Sequence, residues 1–316
     1  MQAVVMSGYG TPDVLNVSEV DLPEPGPGQI RLAVRLAGVG PTDLAIRAGH
    51  LRQVFPMRDP AILGFEAAGV VDAVGPGVDD VAPGDEVAVS LPGLGGYAEY
   101  VVADYWVRKP EAVSWADAAA VPASGEAAVR VLRLLGVTAG ETLLILGGAG
   151  AVGTIATQLA VAAGVTVLSA VRERDFAVPG QWGATPIDYA RPLGDSVTAV
   201  DAVFDAAGRS DLETAVRLAG GPERVITLSD PRGPQIGVTL SSSVPGGIRS
   251  ALSEVMTLLG EQRLTLRSHT VRPLAEAAAV HAGLESGALH TKVLLATSET
   301  GRTPLEALRS TAAHRQ

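Results

Sequence analysis

Residues 142–174, TLLILGGAGAVGTIATQLAVAAGVTVLSAVRER, decide the fold of this 316-residue chain. The apolar run Leu143-Leu144-Ile145-Leu146 is short for a helix and reads as a buried parallel strand. A turn rich in glycine follows, with Gly147, Gly148, Gly150 and Gly153. Val152, Ile155, Ala156, Leu159, Ala160 and Ala163 then recur with the period of one helix face. Gly164 stands where a helix C′ residue belongs, and Val165-Thr166-Val167-Leu168 opens a second strand. The segment is therefore a β-α-β unit whose turn fits G-x-G-x-x-G through Gly148, Gly150 and Gly153. Glycines let a backbone approach a pyrophosphate, and the free N–H groups of the helix start hold its charge. A lone glycine turn is weak evidence, but one set between a strand and an amphipathic helix is the context a dinucleotide fingerprint demands.

Composition bounds the remainder. A length of 316 residues predicts about two domains, and 47% hydrophobic residues with a mean hydropathy of +0.27 suffice for two cores. The net charge of −10 argues against nucleic acid or an anionic membrane surface as partner. No apolar stretch has the length of a membrane span, and the N-terminus MQAVVMSGYG lacks the charge and hydrophobic run of a signal peptide. A cytoplasmic protein is expected. The absence of cysteine removes disulfides, thiolate nucleophiles and cysteine-ligated zinc together. Lys109 and Lys292 are the only lysines, an arginine bias better explained by a GC-rich coding sequence than by function.

Outward from the central unit, residues 1–105 read as short strands (3–6, 14–20, 30–36, 69–74, 86–90 and 97–102) separated by Pro and Gly turns, a compact β domain. Residues 115–121 are helical with Ser114 as N-cap; Pro122 is expected to interrupt, and a helix resumes over 126–135. Beyond the central unit, strands at 199–204, 224–228 and 238–240 alternate with helices at 212–219 and 248–259, which implies a doubly wound parallel sheet. A helix at 274–286, a strand at 292–296 and a polar, loosely held tail from 297 complete the chain.

These residues resemble the medium-chain dehydrogenase/reductase superfamily, in its zinc-independent quinone oxidoreductase and enoyl reductase branch. The resemblance is carried by Gly8-Tyr9-Gly10-Thr11-Pro12, Pro23-Glu24-Pro25-Gly26-Pro27-Gly28, Ala37-Gly38-Val39-Gly40-Pro41-Thr42-Asp43, Leu63-Gly64-Phe65-Glu66, Gly95-Gly96-Tyr97-Ala98-Glu99-Tyr100 and the glycine turn. It implies a GroES-like catalytic domain, residues 1–121 plus 266–316, interrupted by a Rossmann domain at 122–265. It implies a homodimer as well, built across an edge strand in 225–240.

The resemblance assigns to the cofactor Gly147, Gly148, Gly150, Ala151, Val152 and Gly153 of the turn, with Ser169 on the following strand. It adds Pro41, Ser124, Ala127, Tyr189, Ala206, Ala207, Leu228, Ser229 and Lys292. NAD-specific Rossmann proteins carry an acid about 20 residues past the glycines. Here Leu168-Ser169-Ala170-Val171 has none, and Arg172 and Arg174 follow, so NADPH is the expected cofactor because arginine's planar fork suits a 2′-phosphate.

Departures from the family matter as much. The catalytic cysteine of zinc-dependent relatives falls at Gly40 and the metal-binding histidine at Phe65, and nothing between Pro92 and Tyr97 matches a structural zinc lobe, so no metal is expected. Gly40 also replaces an asparagine usual in quinone reductases. A tyrosine offered by some enoyl reductases is missing, with Phe55 near its place. Tyr105 and Lys109 have the spacing of a short-chain dehydrogenase pair but lie outside the nucleotide domain and read as coincidence. The remaining chemistry asks little of the protein beyond geometry: hydride transfer to a quinone or α,β-unsaturated carbonyl, with the developing anion stabilised by a donor. Gly40, Thr42, Asp43, Phe55 and Phe65 are the candidate pocket residues, with the proton donor left open. Asp43 and Arg47 read equally as site residues or as an internal pair. A nucleotide-binding protein of the same fold with little or no turnover is the alternative.

Overall fold

The computed structural model describes residues 1–297; the polar tail expected from 297 lies, but for its first residue, outside them. The chain divides into two compact units. Met1–Ala123, Leu252–Arg263 and the residues from Arg267 form one, and Ser124–Ala251 with Leu264–Leu266 the other. Where the sequence led us to expect a cut near 266, the second half of the helix Pro245–Gly260 already groups with the first unit. Its last residue shows why: a Cβ added at Gly260 would lie 3.2 Å from the Pro110 ring.

The spine of the first unit is the strand Ile30–Val39, of which eight residues in ten are buried. It pairs antiparallel with Glu66–Val74, Tyr100–Ala103 and Lys292–Ala296. The register of the last pair runs from Val293↔Val39 to Ala296↔Leu36, so residues nearly three hundred positions into the chain complete a sheet begun at residue 30. Val293, Leu294 and Leu295 are fully buried there, enough apolar surface to hold the return strand. Several elements escaped the sequence reading, among them one strand and one helix of this unit. His269–Pro273 is a polar strand pairing in parallel with Lys292–Ala296 at the sheet edge. Pro41–Arg47 is a helix with proline at its first position, where the missing N–H costs nothing. The same rule corrects the reading of Pro122, which starts the helix Pro122–Leu135 instead of interrupting one. Ser114 caps Trp115–Ala120 by accepting the Asp117 N–H at 3.0 Å.

In the second unit six strands run parallel in the order Thr185–Asp188, Thr166–Val171, Thr142–Leu146, Ala202–Asp205, Val225–Thr227, Thr239–Leu240. Counted from Thr142–Leu146 this is 3-2-1-4-5-6, the dinucleotide-binding order, whose topological switch point falls between the first and fourth strands. Leu143–Leu146 are fully buried, as a strand covered on both faces requires. The helix Ala151–Ala162 buries more than its apolar stripe: Thr154, Thr157 and Gln158 are also enclosed. Gln158 explains its own burial, since its amide clips Thr265 by two bonds of 2.9 Å. Gly164 takes the left-handed conformation after the helix, with φ of 81°. Among the described residues no helix is long and apolar enough to cross a membrane.

Candidate functional site

The C-terminal ends of the central strands of the second unit gather most of the expected cofactor residues. Gly147 turns the chain out of Thr142–Leu146 with φ of 81°, and Gly147 and Gly148 N–H groups both point back to the Ala170 carbonyl. Packing here leaves no room for side chains. A Cβ at Gly153 would lie 2.6 Å from Gly148 Cα and closer still to Gly147 O, and one at Gly148 would overlap Ser169 Oγ. The turn delivers the chain directly into the helix Ala151–Ala162, whose first N–H groups have no partner within the helix. Bare backbone beside unpaired donors and a positive helix end is the arrangement a pyrophosphate requires, so these residues fit a dinucleotide.

Two further loops meet this turn. A Cβ at Gly147 would touch Ala207 at 3.1 Å, and Gly208 lies against Ser229. Both loops are held by Asp205, the last residue of its strand and fully buried. Asp205 Oδ1 accepts the Ala207 and Gly208 N–H groups at 3.1 Å each and the Ser210 hydroxyl at 2.7 Å. Its Oδ2 accepts the Thr227 hydroxyl at 2.7 Å. Thr227 Oγ1 in turn accepts the Asp230 N–H at 3.1 Å. Asp230 is paired with Arg232, whose guanidinium holds the Asp230 carboxyl below the usual range and donates to Ser210 O at 2.8 Å. One buried carboxylate therefore sets the shape of 206–210 and, through Thr227, of 228–232. The sequence reading passed over Asp205; its signal was an acid closing the apolar strand Ala202–Asp205.

Ser169 is fully buried beneath the turn and its hydroxyl has no hydrogen-bond partner. Arg172 and Arg174 follow the same strand and are exposed, Arg174 only 3.9 Å from Asp175. Tyr189, 44% exposed, is joined to this strand end by its N–H to Val171 O at 2.8 Å. Ser124 and Ala127 are buried on the helix Pro122–Leu135.

The remaining candidates belong to the first unit. Gly40 is the N-cap of Pro41–Arg47, and Pro41 and Thr42 are exposed on its first turn. Asp43 is buried and fastens two segments together: its Oδ2 accepts the Gly40 N–H at 2.8 Å and its Oδ1 the Gly64 N–H at 2.9 Å. It does not pair with Arg47, whose buried guanidinium reaches Gly10 O and Glu285. Burial pushes the Asp43 carboxyl up to about 7, against the pull of the two N–H donors and of Lys292. Phe65, next along from Gly64, meets Phe55 edge to face at 5.5 Å, and the Phe55 carbonyl accepts the Tyr9 hydroxyl at 2.8 Å. Phe55 lines a cavity of about 330 Å³ with Met6, Ile46, Met57, Leu63 and Leu94. Lys292 is half-buried; its ammonium binds Glu66 and donates to Val39 O at 3.1 Å, and Glu66 also accepts the Ala123 N–H at 2.8 Å. Lys109 has structural partners as well, donating to Val113 O at 3.0 Å and pairing with Glu86 at 2.9 Å.

Residues 26–111 match the alcohol dehydrogenase GroES-like domain. The chain is 42% identical over 209 residues to the pikromycin polyketide synthase component PikAII of Streptomyces venezuelae, a match over 65% of this chain and 5% of that much longer protein. It is 33% identical over 292 residues to the chloroplastic NADPH-dependent alkenal/one oxidoreductase of Arabidopsis thaliana, covering 87% of this chain and 72% of that one. Among solved structures, the quinone oxidoreductase of Escherichia coli complexed with NADPH superposes with a TM-score of 0.83 at 26% identity, over 94% of this chain and all of the other. With its GroES-like segment, its 3-2-1-4-5-6 sheet and relatives over most of its length, the chain belongs to the medium-chain dehydrogenase/reductase superfamily, in the quinone oxidoreductase and enoyl reductase branch.

Proposed function

We propose that this protein is an NADPH-dependent, zinc-independent reductase of quinones or α,β-unsaturated carbonyl compounds. The observation that carries the reading is the glycine cradle at the switch point of the parallel sheet, followed on the neighbouring strand by Arg172 and Arg174 in place of an acid. Bound there, a nicotinamide supplies hydride chemistry. The free N–H groups at the start of Ala151–Ala162 would hold the pyrophosphate, Ala206–Ala207 and Leu228–Ser229 shape the crevice, and the two guanidiniums would take the 2′-phosphate. The cavity beside Phe55 suits the body of an enone or quinone, since most of the side chains lining it are apolar, with Arg58 the one charged residue among them. Gly40 and Phe65 at the ligand positions of zinc-dependent relatives support metal-free chemistry. The activities of the Arabidopsis and Escherichia coli relatives point the same way.

NADPH oxidation against a panel of enones and quinones tests the reading. Turnover with either class supports it. Tight cofactor binding with no turnover across the panel favours a nucleotide-binding protein instead. We extend the proposal to a homodimer formed across Thr239–Leu240, an edge strand paired on one side only, with Leu240 and Val244 exposed beside it. Light scattering at a monomer mass over a wide concentration range refutes that part.

A further inference from the structure

An enone that accepts hydride at its β-carbon must also take up a proton, and the first unit holds a buried acid bonded to two segments that contribute residues to the cavity lining. Ile46, three positions along the helix from Asp43 and so on the same face, and Leu63, next to Gly64, both line that cavity. Asp43 fastens the backbone of these two segments from behind. Its charged and titratable neighbours are Lys292 and Glu66 on the return strand and the strand opposite, and Tyr97 from the segment before Tyr100–Ala103. The one cation among them is already matched by Glu66. An ionised Asp43 would therefore be a second negative charge beside a single ammonium, at a position only 1% exposed.

Behind Asp43 a chain of buried groups leads inward. Tyr97 is fully buried, and its phenol is pushed well above its ordinary range by that burial and by the Asp43 and Glu66 carboxyls. Its hydroxyl lies 3.2 Å from His281 Nε2. Burial, with the nearby Arg47 charge, depresses His281 to about 4. A neutral imidazole accepting at Nε2 receives the Tyr97 hydroxyl's hydrogen bond and leaves the phenol oxygen free to accept from a protonated Asp43. The chain then stops, because His281 Nδ1 has no partner. In the other direction the way is open. A Cβ built on Gly40 would find one heavy atom within 4 Å, Asp43 Oδ2 at 3.6 Å. The missing side chain at this partly exposed position leaves a notch in front of the acid.

We propose that protonated Asp43 is the acid of the reaction, passing its proton through a water molecule seated in the Gly40 notch to the enolate of a reduced α,β-unsaturated carbonyl compound. This rests on the reductase reading above. Once the bound nicotinamide has given hydride to the β-carbon, the C=C electron pair resides on the enolate. A C–H bond forms at the α-carbon as the water O–H breaks. The water recovers its proton from Asp43, and solvent reprotonates the carboxylate through the same notch. A group that changes charge near neutral pH is suited to this exchange.

The test compares wild type with Asp43→Asn and Gly40→Ala, using NADPH and 2-cyclohexenone between pH 5.5 and 9. Wild-type kcat is expected to fall about tenfold per pH unit above a limb near 7, and D43N to lose the limb and run about a hundredfold slower at pH 6. Gly40 has an ordinary extended backbone with φ of −129°, so G40A folds; it keeps the limb while slowing by about tenfold. Infrared titration without substrate or cofactor supplies the second readout. A protonated-carboxyl band present at pH 6, fading above 7 and absent from D43N is expected. Its absence from wild type, or its persistence in D43N, overturns the assignment. Turnover by wild type with the limb intact in D43N overturns the acid alone. No turnover by wild type on any enone or quinone overturns the reductase reading and the acid with it.

Discussion

Replacing Asp205 with alanine probes whether the cofactor crevice is built before any ligand arrives. The wild-type carboxylate is fully buried and takes four hydrogen bonds of 2.7–3.1 Å, three of them on Oδ1. Bonds to a charged acceptor contribute about 1.5–3 kcal/mol each, but they do not sum, because the carboxylate is itself costly to bury. Alanine strands the N–H and hydroxyl donors of that carboxylate, at about 1–3 kcal/mol for each buried group left unsatisfied, and we expect Asp205→Ala to lose about 3 kcal/mol or more of unfolding free energy in urea. Its unpinned loops at 206–208 and 228–229 should weaken NADPH binding at least tenfold, about 1.4 kcal/mol, by titration calorimetry. Asp205→Asn is the control. With its amide oxygen at the Oδ1 position it keeps three acceptor contacts, while the Thr227 hydroxyl need only rotate to accept from the amide, so its loss should stay near 1 kcal/mol. An alanine variant within about 1 kcal/mol of wild type, with unchanged NADPH affinity, refutes the idea that this carboxylate organises the crevice.

Other tests address different parts of the molecule. Changing Arg172 and Arg174 together to alanine should weaken NADPH by about tenfold to a hundredfold, solvent screening at these exposed sites holding the effect down, and leave NADH nearly unmoved; equal wild-type affinity for both cofactors contradicts the assignment. Gly153→Ala forces backbone apart and should destabilise by about 1–3 kcal/mol with loss of cofactor binding, whereas Gly180→Ala, with nothing within 4 Å of its added Cβ, should be neutral or mildly stabilising in the same urea titration. His281 is neutral when folded and titrates near 4, against 6.5 unfolded. The unfolded state therefore binds the extra proton, and stability present above 6.5 is lost as pH falls through that window, by about 3 kcal/mol. His281→Gln should remove this acid-side loss, and an unchanged difference between stability at pH 7 and pH 4.5 contradicts it. Exhaustive chelation should leave activity intact; zinc lost together with activity reverses the metal-free proposal.

Local pattern was enough for the β-α-β unit, because a strand, a tight turn and a helix leave their periods and glycines within some thirty residues. It was not enough at sheet edges. Thr185–Asp188 pairs on one side only and carries Pro186, which an edge strand tolerates but which hides the strand signal. His269–Pro273 is mostly exposed and so shows no apolar alternation. The glycines that turn the chain out of Thr142–Leu146 were legible for the same reason as the β-α-β unit. Asp205 was not, since its function depends on Thr227, twenty-two positions away, and a buried acid differs from a surface one only in its partners.

What the amino-acid order determined by itself is therefore the β-α-β unit with its glycine turn and the arginines after the second strand, each a property of neighbouring residues. The tertiary structure alone decided the strand order, the return of Lys292–Ala296 onto Ile30–Val39, and the company kept by Asp43. Tyr97 lies 184 positions from His281, and Lys292 lies 226 from Glu66. Desolvation and charge pairing act through space at a few ångströms, so where such residues meet, and which of them keeps its proton, is set by the packing of the whole unit and not by any stretch of chain.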